Sequence, residues 1–193
     1  MLHYMLVVQA QPCPVLRMRR SSNIYIKGCR SLNHRIHRYH WSLLTGPKRE
    51  DGGNTSGIRF HARNGITDGQ VCWAFEQQEC RILASIRLLA RIRIAKVKDM
   101  DRLGTILHDV PVTPEVQGWN CVHWIRDALQ RLAEDDGVLG GKSVLQWEIV
   151  RDHSMRFVQQ VVESQRLGSM QPGDIDPSAK ATLDLLDGGE FMP

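Results

Sequence analysis

Cys121 opens the segment with the clearest helical pattern in the sequence, and a thiol at that place can act as a nucleophile. Apolar residues recur at intervals of three and four positions, which predicts one amphipathic helix; they are Cys121, Trp124, Ile125, Ala128, Leu129 and Leu132. Asn120 is a suitable N-cap, so the thiol falls in the first turn, where unpaired amides and the helix dipole stabilise a thiolate. Simple burial of a cysteine on an apolar stripe is the alternative.

Two histidines on successive predicted strands would complete such a site. His40 lies in an alternating stretch that ends at Gly46-Pro47, and His61 lies in a second alternating stretch after a glycine-rich loop. A hairpin whose loop is centred near residue 50 or 51 predicts that these histidines are direct cross-strand neighbours. A cysteine, a histidine that takes its proton and a polar group that orients this histidine form the general thiol-nucleophile arrangement. Ordinary solvated or core histidines are the alternative.

Metal and disulfide sites are not indicated. His34, His37 and His40 recur every three residues, but no carboxylate or thiol stands at ligand spacing beside them. The five cysteines, at 13, 29, 72, 80 and 121, are an odd number without close pairing. We therefore expect no metal, no cofactor and a reducing compartment such as the cytoplasm.

The surrounding pattern predicts an α+β fold, a small antiparallel sheet packed against helices. Strands are expected at 24–26, 40–45, 57–62, 71–75 and 89–97. In the last of these, Arg91 and Arg93 alternate with apolar residues, which favours a sheet with one solvent-facing side. Helices are expected after an Asp99 N-cap, from Cys121, and over 144–162 as one helix or two.

Length and charge suggest how the chain is organised. Its 193 residues suit one domain, predicted at 23–168, between a basic flexible N-terminal arm (1–22) and a partly disordered C-terminal tail (169–193) that has a short helical stretch at 179–186. No Asp or Glu precedes Glu50, while nine Lys or Arg do. This basic N-terminal segment could contact nucleic acid or an anionic surface, direct the chain to an organelle, or have no role in the folded protein. No apolar run approaches the roughly 18 residues that span a bilayer, so we expect no membrane insertion.

Three short motifs resemble one known group of proteins. His40-Trp41-Ser42-Leu43-Leu44-Thr45-Gly46, the second-strand His61, and Asn120-Cys121-Val122-His123-Trp124 are similar to the motifs of the circularly permuted papain-like group. This group includes the lecithin:retinol acyltransferase-like proteins and the PPPDE peptidases, and is related to the NlpC-type peptidases. The resemblance covers about residues 38–132 and implies Cys121 as nucleophile, His40 as general base and His61 as the orienting partner, on a permuted papain-like core.

Other features of the sequence bear on this resemblance. Position 122 is Val where the acyltransferase branch has an acidic residue, and no membrane anchor follows, which argues against lipid substrates. The chain as a whole is also similar to an uncharacterised family of small fungal proteins with a His-Trp strand, a Gly-Pro-Lys turn and a Trp-Asn-Cys helix start.

Two functions are therefore open from the sequence. The first is a cysteine-dependent hydrolase or acyltransferase that acts on an amide, ester or thioester carbonyl of a small molecule, a peptide or an acyl carrier, with Trp41 and Trp119 shaping the cleft. The second is a non-catalytic binding module of the same fold, whose basic strand faces contact nucleic acid or an acidic partner. The residues expected on those faces are Arg59, Arg63, Arg91 and Arg93.

Overall fold

A computed structural model describes residues 4–12, 39–47, 55–68, 70–82, 88–163, 181–187 and 190–191. Within these residues the chain forms seven strands and three helices. The strands are β1 (Tyr4–Pro12), β2 (Tyr39–Pro47), β3 (Ser56–Thr67), β4 (Gln70–Arg81), β5 (Ala90–Val97), β6 (Thr182–Asp184) and β7 (Glu190–Phe191). The helices are α1 (Met100–His108), α2 (Cys121–Ala133) and α3 (Trp147–Glu163).

All seven strands belong to one sheet in the order β4, β3, β2, β1, β5, β6, β7. Neighbouring strands are antiparallel except β5 and β6, which are parallel. The predicted α+β class is confirmed, as are the four predicted strands between residues 40 and 97. The sheet is larger than expected, because both ends of the chain add strands to it.

The two faces of this sheet have different characters, because successive strand residues point to opposite sides. The side that we call the helix face is apolar and carries Trp41, Leu43, Phe60, Ala62 and Phe75. The indole of Trp124 in α2 packs on the Phe75 ring at 5.7 Å, and that of Trp147 in α3 packs on Trp41 at 5.8 Å. All these residues belong to one hydrophobic core.

The opposite side, which we call the histidine face, is polar but also largely buried. It carries His40, Ser42, His61, Glu76 and Arg91. Ser42 and Arg91 are buried, and both pair through their backbones with Gln9 of the intervening strand β1. The predicted solvent-facing side at β5 is therefore wrong for Arg91, whose Nε donates to Thr182 Oγ1 at 3.0 Å.

Local sequence explains where α2 begins. The Asn120 side chain accepts from the Val122 N–H at 2.9 Å, and the His123 ring accepts from the Asn120 N–H at 3.2 Å. These two bonds form a reciprocal cap that satisfies amides left unpaired at a helix start. The apolar stripe of the helix is buried as predicted, at Cys121, Trp124, Ile125, Ala128, Leu129 and Leu132.

The other two helices also match their sequence patterns. Asp99 caps α1 by accepting from the Arg102 N–H at 2.9 Å, as the sequence predicts. The long apolar pattern that follows α2 forms one helix, α3. It packs on the middle of the sheet through Val150, Phe157, Val158 and Val161.

The expected flexible arm is wrong for residues 4–12, which form β1 between β2 and β5. The pairing partners of this central strand lie 27 to 93 residues further along the chain, and the short apolar run at Met5 to Ala10 does not identify them. Likewise, residues 182–184 form β6 instead of the expected helix in a disordered tail. The predicted strand at 24–26 and the remainder of the arm lie outside the described residues.

The register between β2 and β3 differs by two residues from the predicted one. Leu43 pairs with Phe60, Leu44 with Arg59 and Thr45 with Ile58, so His40 and His61 are not directly opposite. An even shift keeps every side chain on the same face, which is why the two histidines still share a side of the sheet.

We expect Gly57→Ala to destabilise the protein strongly. A Cβ at this position of β3 would lie 2.0 Å from the Thr45 carbonyl oxygen of β2, so the two strands would have to separate. A loss of about 2 kcal/mol or more in the free energy of unfolding, measured by urea denaturation, follows from such a backbone clash.

Gly65→Ala is the matched control, because Gly65 lies in the same strand and a Cβ there meets nothing within 4 Å. This control should leave stability unchanged or slightly raised, since Ala loses less backbone entropy than Gly on folding. Equal effects of the two substitutions would contradict the close contact between β2 and β3.

Candidate active site

The structure brings His40 and His61 together on the histidine face. His40 Nε2 lies 2.7 Å from His61 Nδ1, and the rings meet edge to face with centroids 5.0 Å apart. The two residues are 9% and 4% exposed, respectively. A hydrogen bond at this distance in a buried place fixes the position of both rings.

Glu76 extends this pair through the next strand. His61 and Glu76 are direct partners in the register of β3 and β4, and His61 Nε2 lies 2.8 Å from Glu76 Oε2. Arg63 Nη1 donates to the other carboxylate oxygen, Oε1, at 2.7 Å. We call His40, His61, Glu76 and Arg63 the histidine network; it runs from the buried end of β2 to the exposed Arg63.

Sequence reasoning missed Glu76 and the role of Arg63 in the network. The sequence could have indicated this contact, because β3 and β4 form a regular hairpin around the turn at Asp68. Pairing the two strands about that turn would have placed Glu76 opposite His61.

Burial governs the protonation of the network. Desolvation, followed by the neighbouring His61, lowers the pKa of His40 to about 3. Burial also lowers the pKa of His61, although its hydrogen bond to Glu76 opposes that effect. Burial would raise the pKa of Glu76, but the hydrogen bonds from His61 and Arg63 outweigh it and hold that pKa below its ordinary value. At neutral pH both imidazoles are therefore neutral and Glu76 is a carboxylate.

Cys121 is carried by α2, which packs on β2 and β3. It is 4% exposed, in the first turn of α2, and belongs to the core under the helices. The helix that carries the thiol therefore packs on the helix face, whereas strand alternation directs the two imidazoles to the histidine face.

The residues just before α2 lie against the part of the β3–β4 hairpin that follows His61. The Trp119 ring, just before α2, packs on Trp73 of β4 at 5.5 Å, and Trp73 pairs with Asn64, three residues past His61. Backbone pairing of β2 with β3 covers only three residue pairs and stops at Leu43 and Phe60. Beyond that point β2 continues beside β1 and β3 beside β4, and the bond between His40 and His61 bridges the place where they part.

The two tryptophans expected to shape a cleft are packing residues in this structure. Trp41 is fully buried against Trp147, and Trp119 is largely buried against Trp73. Their edge-to-face contacts are the geometry that aromatic pairs prefer in a core.

One cavity of about 520 Å³ lies on the helix face, between α1 and the hairpin of β3 and β4. It is lined by Ile58, Phe60, Gln77, Met100, Asp101, Gly104, Thr105 and His108. Neither Cys121 nor a residue of the histidine network lines it, so the candidate site and this cavity are separate.

The predicted exposure of four basic strand residues is confirmed for Arg63 alone, since Arg59 and Arg93 are partly buried. Arg91 is buried, and Arg93 forms ion pairs with Asp184 and Asp187. Arg59 donates to Gln78 at 2.6 Å, and Arg63 is paired with Glu76. The four arginines therefore serve contacts within the protein, and the nine basic residues before Glu50 lie outside the described residues.

The described residues show neither a metal-binding cluster nor a membrane-spanning helix. Among the described residues, no group of three or more His, Cys, Asp or Glu side chains is arranged to hold a metal ion. His34 and His37 lie outside this part of the chain. No described helix is long and apolar enough to cross a membrane.

The sheet, its helices and the histidine network, with its two buried imidazoles, define an α+β protein with a candidate acid-base site. The chain belongs to a family described as a family of unknown function, DUF6914, whose model matches residues 23–192. No curated protein and no solved structure matches the chain.

The stability of the protein should fall as the pH drops from about 6.5 towards 3. The unfolded chain takes up a proton on His40 near the ordinary pKa of 6.5, whereas the folded protein does so only near 3. Within that window the unfolded state binds more protons, so acid favours unfolding, by at most about 1.4 kcal/mol per pH unit for this one group. Urea denaturation between pH 4 and 8 measures the slope.

In His40→Gln the slope should become shallower, whatever the effect on stability at pH 8. His153→Gln is the control, because His153 is exposed on α3. An unchanged slope in His40→Gln would contradict a neutral buried His40.

Proposed function

We propose that the protein is a cysteine-dependent hydrolase or acyltransferase on a circularly permuted papain-like core, with Cys121 as nucleophile, His40 as general base and His61 as its orienting partner. The observation that carries the proposal is the buried bond between His40 Nε2 and His61 Nδ1. It holds a neutral imidazole in place and leaves His40 Nδ1 outside that bond, as a proton acceptor.

The reaction would proceed in two acyl-transfer steps. His40 Nδ1 takes the proton of the Cys121 thiol as sulfur attacks the carbonyl carbon of an amide, ester or thioester. The tetrahedral intermediate collapses, the bond to the leaving group breaks, and the imidazolium returns its proton to that group. Water or a second nucleophile then releases the acyl group from sulfur, with His40 again accepting and returning a proton.

The helix start supports this role of Cys121. Cys121 lies in the first turn of α2, at the positive end of the helix dipole, which favours a developing negative charge. The Cys121 N–H is thus suitably placed to donate to the oxyanion of the intermediate. The chain order of His40, His61 and then Cys121 at a helix start also agrees with the permuted motif.

The proposal requires the thiol and His40 Nδ1 to meet where β2 and β3 separate. Two observations support this meeting point: Trp119, two residues before Cys121, packs on Trp73 of β4, and backbone pairing between β2 and β3 ends before His40. A thiolate beside His40 would offset the desolvation that lowers its pKa, because opposite charges stabilise each other in a buried place.

At pH 7 we expect iodoacetamide to alkylate Cys121 at least tenfold more slowly in His40→Gln than in the unmodified protein. The reason is that the thiol loses the base that assists its deprotonation. Site-resolved mass spectrometry after digestion separates Cys121 from the other cysteines.

Cys72 is an internal reference in the same digest, because it is exposed on β4, and its rate should be equal in both proteins. If the alkylation rate of Cys121 rises only above about pH 8.5 and is unchanged in His40→Gln, the result contradicts a catalytic role of Cys121.

A direct test is trapping of the acyl-enzyme. Brief incubation with p-nitrophenyl acetate should place an acetyl group on Cys121, because an activated ester needs little help for its leaving group. Intact mass and peptide mapping detect the adduct. It should be absent in Cys121→Ala and retained in Cys72→Ala; equal labelling of all cysteines would mean unassisted thiol chemistry.

A further inference from the structure

We infer that Glu76 is a positioning residue that decides, through His61, which ring nitrogen of His40 carries the proton. The inference deepens the proposed function, since it explains why His40 Nδ1 is available as a base. Its first test does not depend on Cys121, so the two can fail separately.

The direction of each hydrogen bond follows from the chemistry of its acceptor. An ionised carboxylate only accepts, so His61 Nε2 must carry the proton in its 2.8 Å bond to Glu76. A neutral imidazole has one N–H, so His61 Nδ1 must accept in the 2.7 Å bond to His40. His40 Nε2 is then the donor, and His40 Nδ1 keeps its lone pair.

Without the carboxylate the direction is no longer imposed. The amide of Gln at position 76 can either accept from His61 Nε2 or donate to it. If it donates, both imidazoles reverse, and His40 carries its proton on Nδ1. In that form the nitrogen proposed to face the thiol cannot accept a proton.

Arg63 assists by holding the other carboxylate oxygen at 2.7 Å. This bond orients Glu76 towards His61 and helps to keep it ionised. The charges of Arg59 and Arg63 disfavour protonated imidazoles, whereas the charge of Glu76 favours them. Glu76 is therefore the charged group near the two rings that supports proton uptake by His40.

If Glu76 served only to stabilise the fold, its replacement would leave the tautomer of His40 unchanged. The Glu76 side chain is 28% exposed and that of Arg63 is 60% exposed, and an ion pair of this kind contributes little to stability. Glu76 bonds to the buried His61 ring, and His61 bonds to the buried His40 ring. This chain of hydrogen bonds lets Glu76 set the tautomer of His40 in addition to attracting a positive charge.

The experiment is nitrogen NMR of the full protein with ¹⁵N-labelled histidine rings at pH 7, with signals assigned from His40→Gln and His61→Gln. In the unmodified protein we expect His40 protonated on Nε2 and unprotonated on Nδ1. In Glu76→Gln we expect the reversed form or a mixture of the two. Glu79→Gln is the matched control, because Glu79 lies on the same strand, opposite Ile58 on the helix face.

The NMR and alkylation results together distinguish the positioning role of Glu76 from the catalytic role of Cys121. A proton on His40 Nδ1 in the unmodified protein, or an unchanged His40 signal in folded Glu76→Gln, would overturn the inference. A changed tautomer together with a tenfold slower Cys121 alkylation at pH 7, neither seen in Glu79→Gln, supports both the inference and the catalytic proposal. A changed tautomer with an unchanged alkylation rate supports Glu76 as a positioning residue and counts against Cys121 as the partner of His40.

Discussion

The period of two along a strand is the constraint on which this structure depends. In β2 it sends Trp41 and Leu43 into the core beneath the helices and His40 and Ser42 to the opposite side. Register then carries the same division through β3 and β4, so that Phe60 and Phe75 lie on one face and His61 and Glu76 on the other. The apolar side supplies the burial that stabilises the fold, and the polar side holds buried groups that are linked by hydrogen bonds.

Burial of two adjacent imidazoles would be costly if either were charged. The network avoids this cost by keeping both rings neutral and by linking them through one short bond. The single negative charge, on Glu76, lies at the partly exposed edge of the sheet, where Arg63 neutralises it. The Glu76 carboxylate thus stays near solvent, while its hydrogen bond to His61 influences the buried imidazoles. This arrangement suits acid-base chemistry.

The position of Cys121 is the more demanding part of the catalytic proposal. The helix that carries it packs on the apolar face, whereas the histidines lie on the opposite face of the sheet. Its meeting with His40 depends on the parting of β2 and β3 beyond Leu43 and Phe60. The polar histidine face also explains why Arg91 and Arg93, which alternate with apolar residues as a solvent-facing side would, are drawn into contacts with β6 and its neighbouring turn.

Local patterns in the sequence determined the three helices, the start of α2 at Cys121 and the strands between residues 40 and 97, because spacing and capping act within a few residues. They also put His40 and His61 on one face, since an even error in register does not change the side. Tertiary structure alone decided that residues 4–12 form a central strand and residues 182–184 an outer one, because those pairings join distant segments. It also decided that helices cover the Trp41 side of the sheet, because alternation defines two faces but only packing selects which one a helix covers.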